Sequence, residues 1–180
     1  MKNIMVDLET LGTKPGSIVL SIGAVYFGLD GLGKDFYSVI SVEDSEACGL
    51  TSDQSTVDWW TKQSEEARDV LTKARSYEAP KLRSVLESFS AFVRPHSRIW
   101  GNGSDFDNVL LASLYEAASI GCPWEFYDNR CFRTLKGLLI KEDTQEKRND
   151  HNALSDAINQ AEKAVRILNR IPGLDTGSFL

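Results

Sequence analysis

An apolar run that ends in two acids spaced two apart places the strongest constraint on this chain. Ile4, Met5 and Val6 lead into Asp7, Leu8 and Glu9, and Thr10-Leu11-Gly12 follows. The run predicts a buried strand. In a strand, side chains two apart project from one face, with about 6.5–7 Å of rise between them. Asp7 and Glu9 then stand together at the strand's end. Like charges withdrawn from water are costly unless a cation compensates both. Hard divalent ions bound through carboxylate oxygens are the usual compensation. The alternative is a strand that has already ended, with both acids solvated in a loop. Acids elsewhere in the chain decide between the two.

The patterning that follows predicts a second strand over 17–27, a glycine-rich hairpin connection over 28–34 and a third strand over 35–41. Residues 42–56 are polar and read as irregular. Residues 56–63 carry the adjacent pair Trp59 and Trp60. Helices are predicted over 65–73 and 81–93, the second with Leu82, Val85, Leu86, Phe89 and Phe92 at helical spacing. A short strand over 98–100 ends at Gly101-Asn102-Gly103. A helix over 105–119 follows, with Ser104 placed to cap it. Residues 123–127 read as a strand piece, 133–141 as a helix and 141–150 as a charged loop. The last helix runs over 152–170 and stops at Pro172-Gly173, leaving a loose tail to residue 180. A meander followed by alternating strands and helices implies an α/β layer fold on a mixed sheet, in a single domain over 1–180.

The net charge of −6 argues against tight binding to long duplexes, which requires many phosphate neutralisations. A nucleic-acid enzyme is still open, because acids gathered around metal ions inflate the formal negative count. Cys48, Cys122 and Cys131 are odd in number and form no CxxC pattern, so they are expected as buried thiols rather than a disulfide frame or zinc site. No stretch is long and apolar enough for a bilayer and no signal peptide opens the chain, so a cytoplasmic protein without a membrane partner is expected.

Further acids do appear. Asp107 stands near the start of its predicted helix, on the face of Leu110, Leu111, Leu114 and Ala118. It is either a cap or part of a polar site at the sheet's end, and its spacing from Ser104 fits a capping box. In the last helix, Leu154, Ala157, Ile158, Ala161, Val165 and Leu168 form the apolar stripe, with Asp156 beside it in the first turn. His151 lies just before that helix. A histidine beside a fixed carboxylate suits proton transfer near a metal. The structural alternative is that Asp156 only complements the helix N-terminus and His151 is a surface residue, as His96 is expected to be.

Taken in order, Asp7-x-Glu9, then Asn102-Gly103-Ser104-Asp105-Phe106-Asp107, then His151-x-Ala153-x-x-Asp156 resemble the three motifs of the DEDDh 3′–5′ exonucleases. These belong to the ribonuclease-H-like superfamily, with the proofreading exonucleases, ribonuclease T and oligoribonuclease. The resemblance spans residues 5 to about 165. Each motif is weak alone, and the ordered set is strong. Ser55-Thr56-Val57-Asp58-Trp59-Trp60 and Trp100-Gly101-Asn102-Gly103 are similar to a narrower branch, the small bacterial and phage exonucleases akin to exonuclease VIII and the mycobacterial 3′–5′ exoribonuclease. Many relatives carry His-Asn where this chain has Gly101-Asn102.

The resemblance implies a ribonuclease-H-like sheet of three antiparallel strands and then parallel ones, flanked by helices. It implies metal-dependent hydrolysis at the 3′ end of single-stranded RNA or DNA, or of 3′ overhangs, with release of nucleoside 5′-monophosphates. RNA is placed slightly ahead of DNA. Two Mg²⁺ or Mn²⁺ ions about 3.5–4 Å apart would be held by Asp7, Glu9, Asp107 and Asp156. Asp7 would bridge the ions, Glu9 and Asp156 would complete one site, Asp107 would serve the other, and His151 would take the proton of the attacking water. Thr10, Leu11, Asn102 and Phe106 would line the terminal nucleotides. Adjacent tryptophans on a helix point about 100° apart, so one is core and the other, expected to be Trp60, reaches the site. Lys147 and Arg148 either sit in a solvated linker or touch phosphates. A bacterial or phage-encoded protein, with a homodimer by analogy, completes the expectation. An inactive binding module and a nucleotide phosphohydrolase are the competing classes. The presence of all four carboxylates and the histidine speaks against the first.

Overall fold

The computed structural model describes residues 1–103, 105–139 and 151–171. Five strands form one sheet: β1 (Asn3–Thr10), β2 (Val19–Gly28), β3 (Gly31–Val39), β4 (Arg98–Gly101) and β5 (Asn129–Cys131). Their order is β3-β2-β1-β4-β5. The β1/β2 and β2/β3 pairs are antiparallel, and β1/β4 and β4/β5 are parallel. This is the mixed ribonuclease-H-like sheet expected from the resemblance.

The alternation along β1 sorts the molecule into two layers. Ile4, Val6 and Leu8 face a core built with α1 (Val42–Ala47), α2 (Gln54–Trp60), α3 (Glu65–Ala74), α4 (Leu82–Phe92) and α5 (Asp107–Ala117). Met5 faces the other way, into a core with Val25, Phe27 and Trp100 and with α6 (Phe132–Leu139) and α7 (Ala153–Leu168). By the same period of two, Asp7 and Glu9 belong to the α7 face. The inner side of α7 is small: Ala153, Ala157, Ala161 and Ala164 are fully buried. Helix and sheet therefore approach closely. β1 and β2 lie between two helical layers, which is why β2 is buried along its whole length.

Several local expectations are corrected. Residues 42–47 form α1 rather than irregular chain. This short helix has no apolar stripe to announce it. It is held by Ser41, whose side chain accepts from the Asp44 amide, while Asp44 accepts from the Leu82 amide at the start of α4. β3 begins at Gly31, at φ +118°, so most of the expected connection is strand and the turn is Leu29-Asp30. The piece at 123–127 is not a strand. Trp124 is drawn inward, donating to Asn129 Oδ1 at 3.0 Å and packing on Tyr115 and Phe89. A 3-10 turn, Phe126–Asp128, then delivers the chain to β5. α5 starts at Asp107, two residues later than expected, with Phe106 at its N-cap. Ser104, the loop at 141–150 with Lys147 and Arg148, and the tail at 172–180 lie outside the described residues. Cys48 and Cys122 are exposed and Cys131 is half-buried, so they are not the buried thiols expected. Cys48 follows α1, Cys122 lies in the loop after α5, and Cys131 ends β5. Among the described residues, no helix is long and apolar enough to cross a membrane.

Candidate active site

β1 outruns β4. The parallel ladder covers only Asn3–Met5, so further along β1 that edge has no strand beside it. Asp107 closes the gap. Its carboxylate accepts from the Asn102 amide at 2.9 Å, and the backbone N–H groups of Leu8 and of Asp107 itself also favour its ionised form. Being the first residue of α5, it also lies in the favourable field of that helix's N-terminus. The approach depends on Gly101, because a Cβ there would lie 2.3 Å from Asn108 Oδ1 and 3.0 Å from Asp107 Oδ2. Asn108 ties the same corner to the sheet, donating to the Ile99 carbonyl and to Asn129 Oδ1.

The other flank of β1 is built in the same way. Asp7 is paired across the ladder with Gly23 of β2. A Cβ on Gly23 would fall 2.1 Å from the Ala153 carbonyl carbon and 2.2 Å from the Leu154 nitrogen. The first turn of α7 rests on that bare backbone. Asn152 caps the helix, accepting from the Ser155 amide at 3.1 Å. Asp156, in the first turn, then meets Asp7 and Glu9. One carboxylate oxygen from each of the three lies within 4.8 Å of the other two. One turn further along, Gln160 Nε2 donates to Asp7 Oδ1 at 2.7 Å.

This crowding is electrostatically expensive. Burial first, then the charges of Asp107, Glu9 and Asp156, hold the Asp7 carboxyl well above the usual range, against the lowering effect of Gln160. Burial, with Asp156 and Asp107 behind it, pushes Glu9 up to about 8. Burial also raises Asp107 to about 6, while its three backbone donors and the Arg133 guanidinium pull the other way. The cluster demands protons or cations. Its donors are all carboxylate oxygens on two helix termini and one strand, the donor chemistry of a hard divalent cation.

His151 stands in the loop before α7, at φ +44°. Its ring lies edge-on to Trp59, with centroids 5.1 Å apart, and 6.3 Å from Trp60. Beside it is an open pocket of about 400 Å³ bounded by Glu9, Thr10, Thr56, Trp59, Trp60 and Phe106. Both tryptophans line the pocket, as expected of Trp60, but the core member is Trp60 rather than Trp59. Trp60 is the core member, 1% exposed, with its indole N–H on the Thr10 carbonyl at 2.9 Å. Trp59 is the open one, 41% exposed. Phe106 is half-buried and packs on the core from the pocket wall. Leu11 is buried, and the Thr10 hydroxyl donates to the Gly12 carbonyl. Asn102 meets Asp107 through its backbone, and its Oδ1 is buried without a hydrogen-bond partner among the described residues.

Sequence reasoning passed over Trp59, Gln160, Gly23 and Gly101. Gln160 carried a usable signal: four residues after Asp156, it falls on the same helical stripe. The glycines carried none, because a strand glycine does not say which helix will lie across it.

A family model described as the 3′–5′ exoribonuclease Rv2179c-like domain matches residues 2–168. No curated protein matches the chain.

Proposed function

The chain belongs to the Rv2179c-like 3′–5′ exoribonuclease family, and we propose that it shortens single-stranded RNA from the 3′ end, releasing one nucleoside 5′-monophosphate at a time. Asp7, Glu9, Asp107 and Asp156 would hold two divalent cations, Mg²⁺ or Mn²⁺. The observation that carries this reading is the convergence of Asp7, Glu9 and Asp156 within 4.8 Å in a site that raises its own carboxyl pKa values. Cations bound there would lower the pKa of the attacking water and offset charge on the leaving 3′-oxygen.

The chain's own residues do the rest. Asp7, central to the cluster, is the shared acid. Glu9 and Asp156 complete one side of it, and Asp107, set by the Asn102 amide, completes the other. His151 takes the proton of the water, from a loop position that keeps its ring beside Trp59 and the pocket. The terminal base lies between Phe106 and Trp59, and stacking on an aromatic contributes about 1–3 kcal/mol whatever the base. Trp60 and Leu11 act from behind, holding the Thr10 segment in place. Asn102 orients Asp107 through its amide. A second copy of the chain is the partner we assign, which sedimentation would read out.

The test is a degradation time course on 5′-labelled single-stranded RNA, single-stranded DNA and a 3′-overhang duplex, each with Mg²⁺, Mn²⁺ or EDTA. A ladder shortening from the 3′ end, dependent on metal and absent in Asp107→Ala, is the expected result, with RNA the fastest substrate. An intact label under every metal condition, from folded protein, overturns the reading in favour of a binding module.

A further inference from the structure

We propose that Gln160 is a positioning residue for Asp7: its amide nitrogen sets the carboxylate, and its amide oxygen receives a donor that arrives with the bound ion. The inference rests on the metal-binding reading of Asp7, Glu9 and Asp156 and deepens it.

Two observations carry it. Gln160 Nε2 lies 2.7 Å from Asp7 Oδ1, a contact that joins residues 153 apart in the chain. Gln160 Oε1 is buried and has no hydrogen-bond partner among the described residues. A buried acceptor without a donor is costly, and native chains rarely retain one without a purpose. With Asp7 ionised on a cation, turning the amide over would set oxygen against oxygen, so the nitrogen must face Asp7. The amide oxygen is then left for a donor from elsewhere, and a water carried on a divalent cation is a donor of the right kind.

The side chain is also the type the place requires. Asp156 and Gln160 are one turn apart, so α7 meets β1 with an acid first and an amide second. A carboxylate at 160 would add another negative charge to a cluster already short of cations. A hydrocarbon would leave Asp7 Oδ1 with no donor from α7. Outer hydrogen-bond partners of metal-ligating carboxylates commonly fix ligand geometry in this manner.

The test uses the full chain with Gln160→Met, which keeps length and helix propensity, and Gln160→Ala beside it. Mn²⁺ affinity is measured on metal-free protein by calorimetry and by electron paramagnetic resonance, and the metal concentration giving half-maximal RNA degradation is measured in parallel. Both variants should bind Mn²⁺ about 10–100-fold more weakly. The metal requirement of the rate should rise by the same factor, and the rate should recover at saturating metal. A merely structural role would lower the melting temperature in EDTA and leave metal affinity alone. Wild-type affinity and metal dependence in both variants overturn the proposal. Asp7→Asn separates the two readings. If it too binds Mn²⁺ like wild type, the metal site itself is misassigned. If it loses Mn²⁺ while both Gln160 variants keep it, only the role of Gln160 falls.

Discussion

The two flanks of β1 deliver an acid by the same device and hold it differently. On the β4 side, Asp107 is 3% exposed and its carboxylate is held by the Asn102 amide of its own loop. On the β2 side, Asp156 comes in on the first turn of α7, whose backbone rests on Gly23. The first acid is fixed by its own loop. The second is placed by the docking of a whole helix, and Gln160 arrives with it. One flank is thus local and over-determined, and the other is global and depends on layer packing.

Loss of either acid tests that contrast most strongly. Asp156→Ala and Asp107→Ala should both abolish turnover with the fold retained. Asp107→Ala should also cost about 1–3 kcal/mol of metal-free stability, because it strips the acceptor from the Asn102 amide. Both changes relieve repulsion, Asp107→Ala chiefly at Asp7 and Asp156→Ala chiefly at Glu9, so the lost acceptor sets the difference and Asp156→Ala should cost less. Equal losses of stability in EDTA-containing melts would erase the distinction. On the α7 side, His151→Ala should lower the rate about 10²–10⁴-fold with little change in RNA binding.

The glycines sharpen the comparison. Gly23→Ala meets main-chain atoms of Ala153 and Leu154, which cannot step aside without undocking α7. A loss above about 4 kcal/mol is expected. Gly101→Ala meets mainly the side chains of Asn108 and Asp107, and overpacking of that kind costs about 1–3 kcal/mol. Chemical denaturation of both variants would rank them, and the reverse order would show that α7 docks less firmly than its contacts imply.

A pH series separates the flanks more gently. Glu9 and Asp107 hold their protons up to about 8 and about 6, above the range in which an unfolded carboxyl titrates. The folded state therefore binds more protons than the unfolded one. Its stability is fully present at low pH and is lost as pH rises through those folded values. The melting temperature in EDTA should fall between about pH 5 and pH 9. Glu9→Gln should remove the upper part of the fall and Asp107→Asn the lower, and saturating Mg²⁺ should flatten the curve. A metal-free melting temperature that rises over that interval would contradict the assignment. The smallest effect is expected at the rim: Trp59→Ala should raise KM for RNA about tenfold, in line with the loss of one stacked base.

Much of this was legible beforehand for one reason: side-chain period is local. Spacing by two put Asp7 and Glu9 on one face, and the stripe from Leu154 to Leu168 put Asp156 beside the sheet. What could not be read depended on partners far along the chain. Trp59 and Trp60 are equivalent by spacing, and only the Thr10 carbonyl, fifty residues away, selects Trp60 for the interior. Gly23 and Gly101 acquire meaning only when helices are laid across them. The helix at 42–47 was missed for the opposite reason. It is so short that its Ser41 cap, rather than any periodicity, defines it.

The separation between Asp7 and Gln160 also has a consequence in time. The strand that bears the paired acids leaves the ribosome early, and the helix that completes them leaves among the last elements described, 153 positions later. Until α7 has been made and has settled on Gly23, the nascent chain has its paired acids but neither His151 nor Asp156. A polypeptide cut short before residue 151 should leave RNA intact, the message that encodes it included. Synthesis order thus withholds the helix-borne acid until α7 has emerged.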